Sequence, residues 1–279
     1  MRTNSPVCIA IPIYKAVLSA SEQFSIAMCR RVLSTHPIKF IAPNHFADDR
    51  PSYLQSDDEL ICFGTENFVN LRAYNSLLLS EEFWSRFSAF RYMLMYQPDS
   101  LVFRDELMKW VDTGLSYVGA PWLKWIDGEA VAADIGNGGF SLRDIQAHLR
   151  VLRSSRVFLT KTVTYKGARH FHILAFLYLA WSGSRLGLPI RWGRLLAKLA
   201  RIHEDVFWGM YAQCFEKRFL PAEPGVALRF AFDRFPEQCF RLAGHKLPFG
   251  CHAWQAGGHF WPTVLADTLL GSELTSLRG

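Results

Sequence analysis

Short apolar runs of strand length recur through the first 121 residues, with helix signals between them. Residues 7–14 form the first run. The sequence Ser19-Ala20-Ser21-Glu22 then reads as a capping box, in which the serine hydroxyl and the glutamate carboxylate each accept from the other's backbone N–H, opening a helix to about residue 34. Further strands are expected over 38–42, 60–63 (ended by Gly64), 91–96 and 117–121. Helices are expected over 70–87 and over 106–112, the latter closed by Gly114. Strands that alternate with helices are joined by crossovers, so the expected fold is α/β with a largely parallel sheet. After Pro121 the pattern changes to glycine-containing loops, and the last ~20 residues read as a loosely packed tail.

The 279 residues, half of them hydrophobic, are enough for one large α/β domain or two small ones with a sizeable core. Six cysteines (Cys8, Cys29, Cys62, Cys214, Cys239 and Cys251) are scattered with no C-x-x-C pair. They read as buried thiols of a reducing compartment rather than as a disulfide framework or a zinc site. Residues 1–6 lead straight into the first strand without the apolar core of a signal peptide, so the expected location is cytoplasmic.

The net charge of +6 is concentrated in one place. Residues 145–203 contain no Asp or Glu but hold eleven of the 31 basic residues, which leaves 20 basic against 25 acidic residues elsewhere. Within this stretch, residues 170–184 are 15 uncharged residues. As a helix they would span roughly 22 Å, short of the ~30 Å hydrocarbon core of a bilayer. Next, Leu195, Leu196 and Leu199 stand against Arg191, Arg194, Lys198 and Arg201, the pattern of a helix lying on an inner-membrane surface or packed on its own domain. A nucleic-acid partner is not expected, because no reader motif accompanies the charge.

Four short stretches carry the chemistry. In "YMLMYQPDSLVF" (92–103) a buried strand ends at Pro98, which has no N–H for the ladder, and Asp99 falls at the strand's carboxyl edge, where open α/β sheets bind ligands. Capping of the helix that Asp105-Glu106 opens would also explain that aspartate. "GNGGFSLR" (136–143) is glycine-dense enough for positive φ and close approach to a ligand, with Ser141 able to start a helix; a tight turn is the simpler account. In "HEDVFW" (203–208), Glu204 and Asp205 either stabilise a helix N-terminus or supply a general base. In "LPFGCHAW" (247–254), His252 is either a satisfied core histidine or a metal ligand.

Taken in order with "IAIPIYK", "IKFIAP", "YNSLLLSEEFW", "YQPDSLVFRDEL" and "YVGAPW", these stretches resemble the GT-A class of nucleotide-sugar glycosyltransferases. Within that class the likeness is to a bacterial family of uncharacterised proteins linked to surface polysaccharide synthesis. The resemblance implies a single GT-A-like (Rossmann-like) domain over residues 1–279, with a mostly parallel mixed sheet and a helical basic insertion at about 156–202. It implies a hexosyltransferase that uses a nucleotide-sugar donor, a UDP-sugar above all, and a glycan or lipid-linked acceptor. By the same resemblance Pro12, Ile13 and Tyr14 hold the nucleoside, Arg72, Tyr74 and Asn75 contact base or diphosphate, and Gly138 and Gly139 border the donor sugar. Asp205, or Glu204, faces the acceptor hydroxyl. The D-x-D metal motif of the class is here Gln97-x-Asp99, which leaves one carboxylate, with His252 as a late ligand; a nitrogen ligand favours Mn²⁺ over Mg²⁺. The alternatives are a nucleotidyltransferase, against which the absence of a glycine-rich basic signature near residues 9–20 counts, and a non-catalytic nucleotide-sugar or glycan-binding relative.

Overall fold

The computed structural model describes residues 5–159, 171–199 and 202–266. Its centre is a six-stranded sheet in the order β3-β2-β1-β4-β9-β6, formed by β1 (Val7–Pro12), β2 (Ile38–Pro43), β3 (Glu59–Phe63), β4 (Tyr92–Tyr96), β6 (Tyr117–Gly119) and β9 (Phe140–Asp144). Strands β3, β2, β1 and β4 are mutually parallel, while β9 runs antiparallel between β4 and β6. The fold is thus α/β with a mostly parallel mixed sheet. β1 and β4 are buried along their whole length, as their uncharged sequences require of strands covered on both faces.

Topology decides where a site can form. From β1 the chain steps outward to β2 and β3, then returns to place β4 on β1's other side. The carboxyl ends of β1 and β4 therefore diverge at a topological switch point, and a crevice opens there. The Ser19 capping box is present at the start of α1 (Ala20–Val32), which covers this part of the sheet.

Several expectations need correction. Residues 70–87 form two helices, α2 (Leu71–Leu78) and α3 (Glu81–Arg86), because Asn70 and Ser80 each cap a new start through Ala73 N–H and Phe83 N–H. Beyond Leu107–Asp112 (α4), the chain does not go into loops at Pro121 but into a hairpin, β7 (Pro121–Ile126) and β8 (Glu129–Ile135). Asp127-Gly128, with φ of 51° and 83°, makes its turn. Ser141 does not start a helix; it lies inside β9, and Asp144 caps α5 (Ile145–Arg153) by accepting from Ala147 N–H at 2.7 Å.

The C-terminal region is built rather than loose up to residue 266. A small sheet joins β5 (Leu101–Val102), β11 (Gly250–Cys251) and β10 (Ala231–Phe232). Beneath it, a second core gathers Phe232, Cys251, Trp254, Trp261 and Leu265. The remainder of the expected tail lies outside the described residues.

In the basic insertion, α6 (Phe171–Arg185) and α7 (Trp192–Leu199) bury Ile173, Leu177, Ala180, Trp192 and Leu196 in the main core. α7 can lie on α5 because position 193 is glycine: a Cβ there would run into the Val151 carbonyl. Arg191, Arg194 and Arg153 converge on Glu81 at 2.7, 3.7 and 3.0 Å, which commits two of the cations expected on a free basic face. Lys161, Lys166, Arg169 and Arg201 lie outside the described residues. Among those described, no helix is long and apolar enough to cross a membrane.

One core residue gives the stability a pH dependence. His148 is fully buried, stacked on Trp84 at 4.1 Å between ring centroids and tilted against Trp208 at 4.2 Å; its Nδ1–H donates to the Asp144 carbonyl and its Nε2 has no partner among the described residues. Burial, reinforced by the Arg143 charge, holds the imidazole well below its usual 6.5, so the folded state keeps it neutral. Below about pH 6.5 only the unfolded chain takes up this proton, so stability is expected to fall as the pH drops from there toward the folded value. Denaturant midpoints between pH 7 and 5 should fall less steeply in His148→Phe than in wild type; identical slopes would refute the assignment.

Candidate functional site

At the switch point lies a cavity of about 570 Å³, lined by Pro12, Tyr14, Tyr74, Gln97 and Asp99 among others. Five residues expected at the donor site are therefore neighbours in space. Ile13, between Pro12 and Tyr14, is not among them: its side chain is buried in the core. Arg72 and Asn75 are also elsewhere, lining a second cavity beyond Leu71.

The β4 end approaches the glycine loop and the last strand of the small sheet. Gln97 N–H donates to the Gly139 carbonyl at 2.8 Å, and His252 N–H to the Phe232 carbonyl at 2.9 Å. These bonds bring His252 Nε2 to 3.0 Å from Gln97 Oε1 and 3.2 Å from Asp99 Oδ1. The other ring nitrogen, Nδ1, is 3.0 Å from the Asp233 carboxylate and 3.0 Å from the Asn137 amide. Asn137 is oriented by its own Oδ1, which accepts from Gly139 N–H and Phe140 N–H. Burial opposes the charge on His252, but its hydrogen bonds to the Asp233 and Asp99 carboxylates outweigh it and raise the pKa to about 9. Asp99 itself is held below the usual carboxylate value: burial pushes it up, and the His252 contact more than compensates.

The glycines serve close approach. Neither Gly138 nor Gly139 has positive φ, contrary to the sequence expectation. A Cβ on Gly139 would instead collide with the His252 ring, and one on Gly138 with the Glu204 carboxylate. The loop thus spans the gap between the histidine cluster and the acidic pair.

The two carboxylates of that pair are not equivalent. Glu204 is bound by both terminal nitrogens of Arg143, each at 2.8 Å, and the arginine is completely buried. Arg143 also donates to Ser141 Oγ and the Gly138 carbonyl, which fixes the loop to the pair. The backbone N–H of Glu204 donates to Asn75 Oδ1 at 2.8 Å, so Asn75 positions the acidic segment rather than contacting the cavity of Asp99. Among the described residues Asp205 has no ion-pair partner. Its Oδ1 accepts from Val206 N–H, and burial together with the charge of Glu204 raises its pKa to about 7. A π-helical turn, Phe207–Tyr211, follows at once, a distortion often met at functional sites.

Among the described residues no group of three His, Cys, Asp or Glu side chains is arranged to hold a metal ion. Gln97 Oε1, Asp99 Oδ1 and His252 Nε2 nevertheless converge, with the third donor an amide, and Asp233 on Nδ1 is the kind of partner that orients a ligating imidazole. The donor set fits a divalent cation with one nitrogen ligand, in competition with the Nε2 proton.

Asn137, Arg143 and Asp233 were not singled out from sequence. Asp233 ends a short apolar run, "FAFD", just as Asp99 does; an arginine inside the buried run "GFSLR" was the signal for Arg143.

No curated protein matches this sequence. The family model described as "Protein of unknown function (DUF5672)" matches residues 58–252, from just before β3 to His252. This is more than two thirds of the chain and includes every residue of the histidine cluster and the acidic pair, so the chain belongs to the DUF5672 family.

Proposed function

We propose that this protein is a GT-A-type glycosyltransferase, moving a hexose from a nucleotide-sugar donor, with UDP-sugar the first choice, to a glycan or lipid-linked acceptor in surface polysaccharide synthesis. One observation carries the reading: Gln97 and Asp99, which line a nucleotide-sized cavity at the switch point, meet His252, and a glycine loop connects them to a carboxylate whose pKa is raised to about 7. Pro12, Tyr14 and Tyr74 would hold the nucleoside, while Gly138 and Gly139 would border the sugar.

Asp205 is the base. With Glu204 committed to Arg143, it is the member of the pair free to accept a proton. The acceptor oxygen forms a bond to the anomeric carbon, the bond from that carbon to the diphosphate breaks, and the hydroxyl proton passes to Asp205. Gln97, Asp99 and His252 would hold a divalent cation, Mn²⁺ in preference to Mg²⁺, which supplies Lewis acidity toward the leaving diphosphate. A peripheral inner-membrane contact has narrower support, the exposed Tyr178, Leu179 and Leu186 beside Arg185.

The test is a UDP titration with and without Mn²⁺, joined to a donor screen for release of free nucleotide. Asp99→Asn removes the one carboxylate of the degenerate motif, so Mn²⁺-dependent UDP binding should weaken at least tenfold while the melting temperature stays close to wild type. Unchanged Mn²⁺-dependent binding in Asp99→Asn sinks the assignment of the cavity.

A further inference from the structure

Between α2 and α7 lies the second cavity, of about 330 Å³, lined by Arg72, Asn75, Ser76, Lys198 and His203 together with apolar residues and no acidic one. Arg72, Lys198 and His203 are exposed, and none of them has an ion-pair partner among the described residues. The neighbouring cations Arg153, Arg191 and Arg194 are instead gathered onto Glu81. Cations left unpaired around a concavity repel one another and concentrate anions there. Asn75 ties the cavity to the reaction site: it lines the wall and accepts the Glu204 N–H, one residue from Asp205. Leu71 lines both cavities and so separates this one from the cavity of Asp99.

We propose that this cavity is a phosphate site, in which Arg72 and Lys198 bind a phosphate or diphosphate group of the acceptor and hold the acceptor beside Asp205. The role given to the phosphate rests on the glycosyltransferase reading; the existence of the site does not. A guanidinium recognises phosphate through paired N–H groups and an ammonium as a point charge, so the two cations suit one anion from two sides. The phosphate can belong to a lipid carrier or to a phosphorylated glycan, and the chemistry recognised is the same.

Inorganic pyrophosphate is the probe. It is titrated into wild type and into Arg72→Ala/Lys198→Ala at low salt with a chelator present, which removes any cation that would bridge it to Asp99. Binding to wild type is expected to weaken with added salt and to fall at least tenfold in the double variant, while Mn²⁺-dependent UDP binding changes less than threefold. Both side chains are exposed, so the melting temperature reports that the variant is folded. Displacement of pyrophosphate by a water-soluble short-chain phosphatidic acid assigns the phosphate to a lipid, displacement by a sugar 1-phosphate alone assigns it to a glycan, and either upholds the site. Equal pyrophosphate affinity in wild type and variant, or no binding to wild type, overturns it. A site that binds pyrophosphate in a protein that transfers no sugar would refute the transferase reading and leave the phosphate site standing.

Discussion

Asp205→Asn is expected to lower sugar transfer by about 10²–10⁴-fold while leaving Mn²⁺-dependent donor binding unchanged. The same substitution should raise the melting temperature above pH 7. Both effects have one origin. In the folded protein, burial and the neighbouring Glu204 carboxylate raise the Asp205 pKa from 3.8 to about 7, so the folded state binds a proton that the unfolded chain has already released. The resulting stabilisation is complete below about pH 3.8 and is lost as the pH rises through about 7. Above that point the native state carries an unpaired charge beside Glu204, which asparagine does not have. Asn preserves the shape and can still accept from Val206 N–H, but it cannot take the acceptor's proton. The measurements are turnover and thermal melts at pH 6 and 8. Transfer within about threefold of wild type would remove Asp205 from the mechanism, and an unchanged alkaline melting temperature would show that its charge is not strained.

This pairing of lower activity with higher stability separates a base from a cap. A carboxylate that merely stabilised a helix start would lose ~0.3–1 kcal/mol or less on conversion to Asn, and its removal would not stabilise anything. His203, at the helix boundary, makes no side-chain capping bond, and Asn75 supplies the oxygen that satisfies the Glu204 N–H from another element. Asp205 is therefore not needed as that cap.

How far the sequence made this arrangement legible depends on the range of the interactions. The strands of the first half and the capping box at Ser19 rest on contacts within a few residues, and their residue types report them directly. Asp99 at a strand end was legible for the same reason, since Pro98 marks the end of the ladder. The antiparallel insertion of β9 was not. Its residues, Phe140–Asp144, read as the exit of a glycine loop, and only pairing with β4 and β6 makes them a strand. The hairpin was missed although Asp127-Gly128 is a strong turn signal, because the run before it was taken to stop at Pro121. Arg72 and Asn75 were placed in the donor site with Tyr74 by the resemblance, but Tyr74 lines the cavity of Asp99 whereas Arg72 and Asn75 line the second one, and sequence cannot say which side of α2 meets which cavity. Asp233 and His252 come together only through the parallel pairing of two-residue strands β10 and β11.

Arg143 is the long-range contact with the largest expected effect on folding. Its guanidinium is wholly buried and donates four hydrogen bonds, two to Glu204 and one each to Ser141 and the Gly138 carbonyl, while its face lies 5.4 Å from the Tyr117 ring. Replacing it by Met leaves the buried Glu204 carboxylate without its partner, a class of change that costs about 3–5 kcal/mol. Glu204→Met strands the guanidinium instead and should cost a similar amount. In Arg143→Met/Glu204→Met neither charge is left, so the double variant should lose less than the sum of the singles, by about 1–3 kcal/mol. Denaturant unfolding of the four proteins gives the coupling. Arg143→Lys is the informative fifth: it keeps the charge but not the fork, so it should recover part of the stability while the glycine loop, no longer held at Ser141 and Gly138 together, loses its fixed approach to the acidic pair. Single losses that add to within about 0.5 kcal/mol would mean that Arg143 and Glu204 act independently, and that Glu204, rather than being committed to the arginine, is available to compete with Asp205 for the acceptor's proton.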